Sequence, residues 1–246
     1  MRHIVTIGCL LATLTVVGCG KGTDNTTDNN TLDTGTSQSS AVSQPPTAAV
    51  VKNSKIRITV YTEPSKDASV KTILNGTTRY GTATSFRILD TKNGWYYVAV
   101  NSRPDGTRGW IDGALVDAYN PAMALAIDLH TRKMTITQGS SISTTSVGIG
   151  STQDPTPPGD YFVTDLLRST NPAYGTFAIG LSAHSPVLTE FSGGDGQIGI
   201  HGTNDPRSIG AAVSHGCVRL PTSVDARLSK LAADKVLVIG TYVHIT

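Results

Sequence analysis

Residues 197–221 read QIGIHGTNDPRSIGAAVSHGCVRLP, and their pattern decides how the C-terminal half of this chain folds. The first six residues alternate, so the two isoleucines share one face of an extended strand while Gly199 and His201 share the other. The NDP and SIG segments that follow have the composition of turns, which bring a chain back on itself. We therefore expect Cys217 to return to the strand that carries His201.

This arrangement contains the groups needed for nucleophilic catalysis by a thiol. Cys217 is the only cysteine after residue 19, so no disulfide partner is available to it beyond that point. A thiol becomes an effective nucleophile when a nearby imidazole such as His201 takes its proton. Gly216 lacks a Cβ, and we expect its N–H and that of Cys217 to form an oxyanion hole. The helix predicted downstream is expected to lower the pKa of Cys217.

The composition is that of an ordinary globular protein. The chain has 246 residues, 38% hydrophobic and 15% charged, which is enough for one large or two small domains. Because the net charge is +2 and Lys and Arg form no long run, we expect no nucleic-acid partner. No cofactor is expected, because the nucleophile, the base and the oxyanion donors are all protein groups.

The N-terminus has the pattern of an export signal. Arg2 precedes an apolar stretch, residues 4–17, that is shorter than the roughly 20 residues a membrane-spanning helix needs. The sequence VVGC that ends at Cys19 resembles the lipobox of bacterial lipoproteins, which implies that this cysteine carries a lipid. We predict a lipoprotein signal peptide over 1–18 and an extracytoplasmic, lipid-anchored protein that faces the cell wall. The alternative is an ordinary signal peptide cut at a glycine beside that cysteine.

Two further segments precede the catalytic motif. Residues 19–54 are rich in Thr, Ser, Asn and Asp, which predicts a disordered tether. Residues 55–118 contain the short strand-like pieces IRITVYT, VKTIL, TSFRILDT, WYYVAVN and TRGWIDG, separated by turns. This pattern predicts a small barrel, and the segment resembles a bacterial SH3 domain. We expect Trp95, Tyr97 and Trp110 to pack in its core, with a ligand groove as the alternative.

Residues 121–246 are predicted to form a second domain, mostly β with one helix near its C-terminal end. The stretch PTSVDARLSKLAADK has apolar residues at helical spacing, with Thr222 and Asp225 in the positions of a capping box. This spacing makes Asp225 a helix-start carboxylate rather than a catalytic acid. The segments VLVIG and YVHIT are expected to close the domain as strands.

The stretch IHGTNDPRSIGAAVSHGCVRLP resembles the active-site signature of the L,D-transpeptidase family, also called the YkuD domain. Upstream, DPTPPGDYFVT resembles the substrate-facing strands of that family. The resemblance covers about residues 122–246 and implies a β-rich enzyme that acts on peptidoglycan stem peptides. Its cysteine would attack the bond after the third residue of a tetrapeptide stem and release D-Ala. The side-chain amine of a diamino acid on a neighbouring stem would then form a 3-3 crosslink.

The same resemblance implies roles for individual residues. Cys217 would be the nucleophile and His201 the general base, oriented by the carbonyl of Gly202. His215 and Gly216 would shape the site. His215 could orient the imidazole of His201, contact the substrate or hold the local backbone. Substrate contacts are implied for Ser214, Arg219, Tyr174 and Thr203. The guanidinium of Arg219 is suited to bind a carboxylate of the substrate.

Several alternatives stay open from the residues alone. An L,D-carboxypeptidase would use the same thioester with water as acceptor. A non-catalytic wall-binding lipoprotein would keep the fold without the chemistry. Two histidines and a cysteine could also ligate zinc, but the paired-ligand spacing of zinc sites is missing, so we expect no metal. If the thiol is catalytic, carbapenem-type β-lactams are expected covalent inhibitors. Other histidines, His130, His184 and His244, are expected to be exposed or structural.

Overall fold

The computed structural model describes residues 45–191 and 193–246. These residues form two large sheets, a small two-stranded sheet, three 3-10 helices and one α-helix. They belong to one compact unit. The predicted signal peptide, the lipid site at Cys19 and the N-terminal part of the expected tether lie outside the described residues.

The first sheet has seven strands and its own hydrophobic core. The strands are β1 (Ala48–Val51), β2 (Arg57–Tyr61), β3 (Val70–Asn75), β4 (Ser85–Lys92), β5 (Trp95–Ala99), β6 (Arg108–Asp112) and β7 (Val116–Tyr119), with the 3-10 helix η1 (Gly113–Leu115) before the last. Their order in the sheet is β3-β2-β6-β5-β4-β1-β7. All five strands predicted for this segment are present. Fully buried Ile58, Phe86 and Ile111 lie in the core between them.

Strand β1 lies where the tether was expected to continue. Its residues 48–50 pair with β4 and residues 48–51 with β7, so that Ala48 lies between Arg87 and Tyr119. Ala48 and Ala49 are fully buried there. Four small apolar residues after a polar stretch carry little strand signal, and pairing on both sides supplies the order instead. The tether prediction is therefore wrong at its C-terminal end.

Trp95, Tyr97 and Trp110 lie outside the core, contrary to expectation. Trp95 packs edge-on against Tyr61 with ring centroids 5.6 Å apart, and Tyr97 packs against Trp110 at 5.2 Å. All four side chains are half-buried, whereas Val98 is fully buried. Successive side chains of a strand point to opposite faces. Val98 therefore points into the core, and its neighbour Tyr97 points away from it.

The second sheet confirms the mostly β fold class. Its strands are β8 (Met123–Asp128), β9 (Lys133–Gln138), β10 (Ser141–Ser146), β12 (Gly159–Arg168), β13 (Phe177–His184), β14 (Gln197–Gly202), β16 (Val218–Leu220) and β17 (Tyr242–Ile245). Their order is β10-β9-β8-β17-β12-β13-β14-β16. Strands β11 (Ile149–Gly150) and β15 (Ala212–Ser214) form the small sheet, and η2 (Pro172–Tyr174) and η3 (Pro206–Ser208) are 3-10 helices.

The predicted helix is present as α1, Thr222–Ala233, and buries Leu228 in the second core. The predicted capping box is wrong, because Pro221 is the N-cap and no side chain caps this end. Asp225 turns inward instead and is buried. A proline at this position has no N–H to cap and a fixed φ, which suits a helix start without a side-chain acceptor.

The chain after α1 turns rather than extending as a strand. The N–H groups of Val236 and Leu237 both return to the carbonyl of Leu231, and Lys235 has a φ of 58°. VLVIG is therefore a helix-terminating turn, and only YVHIT is in a strand, β17. Within the described residues, no helix is long and apolar enough to cross a membrane.

Polar contacts join the two sheets at several points. The hydroxyl of Tyr119 donates to the carbonyl of Ile239 (2.6 Å), and that of Ser85 donates to the carbonyl of Val163 (3.3 Å). His184 was expected to be exposed or structural, and it is buried with Nδ1 2.7 Å from a carboxylate oxygen of Asp105 in the β5–β6 loop. Strands and loops of the first sheet are thus held against the second sheet.

Candidate active site

The pairing of β14 with β16 brings the two halves of the motif together. The strands are parallel, with Ile200 opposite Val218. Cys217 directly precedes β16 and so comes beside Gly199, whose N–H lies 3.4 Å from the Cys217 sulfur as a donor. Gly199 and His201 lie two residues apart in β14, on the same side of the strand. The contact expected between the histidine strand and the cysteine segment is therefore formed by strand register.

His201 is held in one orientation and one tautomer. Its Nδ1 lies 2.6 Å from the carbonyl oxygen of Gly202, which can only accept, so Nδ1 carries the proton and Nε2 is the base. The ring of Tyr174 in η2 lies 4.6 Å from the imidazole, centroid to centroid. Burial lowers the pKa of His201; the Gly202 hydrogen bond and the charge of Asp225 oppose this, and Arg219 adds to it.

The thiol of Cys217 is not pre-ionised by its surroundings. Burial raises its pKa, and this outweighs the opposing effects of the Gly199 N–H and the Arg219 charge. The predicted lowering by the downstream helix is therefore wrong. Strand β16 separates Cys217 from the helix start at Thr222, and a helix dipole acts only near its own first turn. Both shifts favour a neutral thiol and a neutral imidazole at rest.

Two recesses of one open cleft share Cys217. Four residues line both of them: Cys217, His201, Tyr174 and Phe191. The first recess extends toward the first sheet and also includes Arg79, Tyr80 and Gln197. The second also includes Ser214, His215 and Arg219. A group attacked by Cys217 is thus accessible from two sides.

Ser214 supports the nucleophile from within the loop. Its buried hydroxyl donates to the Cys217 carbonyl (2.6 Å) and accepts the Gly216 N–H (3.1 Å). The predicted oxyanion hole therefore lacks the Gly216 donor, because that N–H is already engaged. Thr156 donates to the Gly216 carbonyl (2.7 Å), so the stretch 154–164, expected to face substrate, supports this loop and lines neither recess.

The remaining predicted residues differ in position. Arg219 and the exposed His215 line the second recess, where the ring of Phe191 lies 5.2 Å from His215. The Nε of Arg219 is buried and makes no hydrogen bond within the described chain. Thr203 lies in neither recess, and the substrate contact expected of it stays a prediction. Its hydroxyl accepts the Asp205 N–H (3.1 Å) to form a local turn.

Asp225 is a site residue that sequence reasoning missed. One of its carboxylate oxygens accepts from both the N–H (2.9 Å) and the hydroxyl (2.7 Å) of Thr176, two residues after Tyr174. It lies against Gly175 and Gly202, where a side chain on Gly202 would approach that oxygen to 2.8 Å. The signal that could have indicated this role was a carboxylate at an uncapped helix start. Phe191 and Arg79 belong to no motif and had no such signal.

Residues 122–239 match the family model of the L,D-transpeptidase catalytic domain, YkuD. This segment is therefore similar to the catalytic domain of the YkuD family. Two proteins of Bacillus subtilis (strain 168), YkuD and YqjB, carry L,D-transpeptidase in their names. Identity to the first is 28% over 107 residues, which are 43% of this chain and 58% of that protein. Identity to the second is 37% over 108 residues, 41% of this chain and 57% of that protein.

The chain thus spans less than two thirds of the length of either relative. Among solved structures, an L,D-transpeptidase from Mycobacterium smegmatis has a TM-score of 0.42 at 17% identity, over 82% of this chain and 96% of that one. The L,D-transpeptidase LdtMt1 in complex with imipenem also has a TM-score of 0.42, at 14% identity over 82% and 92% of the two chains. Every residue named in the two recesses lies in the YkuD domain except Arg79 and Tyr80.

Proposed function

We propose that this protein is a peptidoglycan L,D-transpeptidase that uses Cys217 to form 3-3 crosslinks. The observation that supports this most is the pairing of β14 with β16 in a YkuD domain. It places the Cys217 sulfur against the Gly199 N–H, in the same cleft as a His201 whose tautomer is set by Gly202. A thiol, a base with a free Nε2 and an open cleft are the components of acyl transfer.

In the first step the Cys217 sulfur attacks the carbonyl carbon of the third residue of a tetrapeptide stem. The proton of the thiol passes to Nε2 of His201 as the carbon–sulfur bond forms. The bond to the fourth residue then breaks, and His201 returns the proton to the departing D-Ala amine. Because both groups are neutral at rest, the thiolate forms only during attack.

In the second step an amine resolves the thioester. The side-chain amine of a diamino acid on a neighbouring stem attacks the acyl carbon, gives a proton to His201 and releases Cys217 as a thiol. We assign Arg219 to a carboxylate of the peptide, since its buried Nε makes no hydrogen bond within the described chain. Ser214 acts by holding the Cys217 carbonyl, and Tyr174 by packing on the imidazole.

The same proposal gives roles to the parts of the chain that precede the catalytic domain. Lipidation at Cys19 would hold the protein outside the cytoplasmic membrane, facing the wall, with an SH3-like first domain next to the catalytic one. Carbapenem-type β-lactams would acylate Cys217, because its thiol is the proposed nucleophile. If water replaces the amine in the second step, the activity is that of an L,D-carboxypeptidase.

Mass spectrometry of the purified protein with a disaccharide-tetrapeptide tests the proposal. The wild type is expected to gain a thioester adduct with loss of D-Ala and to produce crosslinked dimers, while Cys217→Ala gives neither. An adduct that yields only free tripeptide would establish the carboxypeptidase. If the peptide binds without any adduct at Cys217, the protein is a wall-binding one and the proposal fails.

A further inference from the structure

The turn between β3 and β4 belongs to the first sheet but reaches the cleft of the second. Thr78 closes the turn, since its N–H donates to the Thr82 carbonyl (2.8 Å) and its carbonyl accepts the Gly81 N–H (3.0 Å). The Thr78 hydroxyl donates to a carboxylate oxygen of Asp165 in β12 (2.5 Å), and Asp165 is fully buried. This contact fixes the position of the turn relative to the catalytic sheet.

Arg79 extends from this turn into the first recess. Its Nη2 donates to the Gly193 carbonyl (2.9 Å) in the loop between β13 and β14. A Cβ on Gly194 would lie 2.0 Å from Nη1, so a side chain there would displace the guanidinium. The guanidinium lies in the wall of the recess that also contains Cys217.

The charge of Arg79 is not neutralised within the described residues. Two other arginines have carboxylate partners, Arg87 with Asp160 at 4.0 Å and Arg207 with Asp205 at 2.9 Å, but Arg79 has none within 4.0 Å. The lining of the first recess contains no Asp or Glu side chain. A guanidinium has five N–H donors, of which one is used here, so most remain for a ligand.

We propose that Arg79 binds a carboxylate of the peptide in the first recess, so that the first sheet supplies part of the substrate site. Guanidinium groups bind carboxylates through paired, charge-assisted hydrogen bonds. The proposal rests on the proposed function for the identity of the peptide as a peptidoglycan stem. It makes the first sheet a determinant of specificity rather than only a spacer.

The test compares Arg79→Gln and Arg79→Lys with the wild type on two sets of peptides. One is the natural disaccharide-tetrapeptide, and the other has one carboxylate at a time replaced by a carboxamide. Arg79→Gln is expected to raise KM for the natural peptide about tenfold with kcat within about twofold, in line with the loss of a charge-assisted contact. One carboxamide analogue should show no difference between Arg79→Gln and wild type. Arg79→Lys should recover part of the affinity.

The matched control is Arg57→Gln, an exposed arginine of β2 that lines neither recess. Alkylation of Cys217 by neutral iodoacetamide should be the same in all variants, which shows that the cleft is intact. Equal losses on every peptide, or a KM unchanged in Arg79→Gln, would overturn the proposal. Calorimetry in a Cys217→Ala background separates this proposal from the proposed function. It measures how Arg79→Gln changes peptide binding even if the wild type shows no turnover.

Discussion

Asp225 accepts two hydrogen bonds from Thr176, and this pair ties the helix after the nucleophile to the loop that carries Tyr174. The carboxylate is buried, and its charge raises the pKa of His201 against the larger effect of burial. Asp225 therefore acts on His201 in two ways. It holds the loop whose Tyr174 packs on the imidazole, and its negative charge raises the pKa of the imidazole. Asp225 is a positioning residue, because it touches neither thiol nor cleft.

Asp225→Asn should weaken both effects. The loss of charge-assisted hydrogen bonds is expected to cost about 1–3 kcal/mol of stability and to lower kcat/KM about tenfold. Because a negative charge near His201 is removed, the imidazolium is less favoured, its pKa falls, and the acid limb of the pH–rate profile moves to lower pH. Thermal unfolding and a kcat/KM profile measure these. The control Asp234→Asn, exposed at the end of α1, should leave all three unchanged, and an acid limb that does not move would contradict the electrostatic role.

The neutral resting pair predicts the pH dependence of the wild type. Burial lowers the pKa of His201, so the base stays unprotonated as pH falls through about 6.5, and the acid limb of kcat/KM should lie below that value. Burial raises the pKa of Cys217, so alkylation by iodoacetamide should reach half its maximum above the ordinary cysteine value of about 8.5. Peptide mapping assigns the alkylation to Cys217. Rapid alkylation at pH 6 would instead indicate a preformed thiolate.

Gly216→Ala should damage the nucleophile loop. Gly216 has a φ of 110°, and a Cβ there would lie 2.7 Å from a methyl carbon of Ile198. Strain and contact together are expected to cost about 2–4 kcal/mol and to displace Cys217 enough to lower the acylation rate at least tenfold. Gly139→Ala separates the two causes, since Gly139 also has a positive φ, 55°, but a Cβ there meets nothing within 4 Å. Its expected cost is about 1 kcal/mol, measured by denaturant unfolding, with acylation unchanged. Equal costs in the two variants would rule out the contact with Ile198.

Arg103 should control the loop that carries Phe191. Its guanidinium donates to the carbonyls of Ser185 (3.0 Å), Leu188 (3.0 Å) and Asp195 (2.8 Å) from the β5–β6 loop. Arg103→Ala leaves these carbonyls without their donor, so the loop should open and Phe191 should leave His215.

Limited proteolysis within residues 185–196 is expected to be faster in Arg103→Ala, and KM for the peptide several-fold higher. Arg108→Ala, an exposed arginine of β6, is the control and should show neither effect. A protease pattern identical to that of the wild type would mean that the loop is held by its own contacts.

Local patterns predicted much of the fold and the identity of the chemical groups. Alternation marked five strands of the first sheet and the strand of His201, and helical spacing marked α1, because these periods depend only on neighbouring residues. Strand β1 was not predicted, because Ala48 and Ala49 show no strand pattern in the sequence and become ordered only by pairing with β4 and β7. The family resemblance implied a substrate contact for Thr203, whose hydroxyl accepts a hydrogen bond within a local turn.

The sequence by itself determined which residues can do chemistry here: a lone thiol, a histidine on the polar side of a strand, and a glycine beside the nucleophile. Only the tertiary structure decided the pKa shifts of these groups and the residues that surround them. Whether burial raises the pKa of Cys217, whether Asp225 faces inward, and whether Arg79 reaches the cleft all depend on contacts between residues far apart in the chain. Such contacts arise from packing, and no local sequence pattern records them.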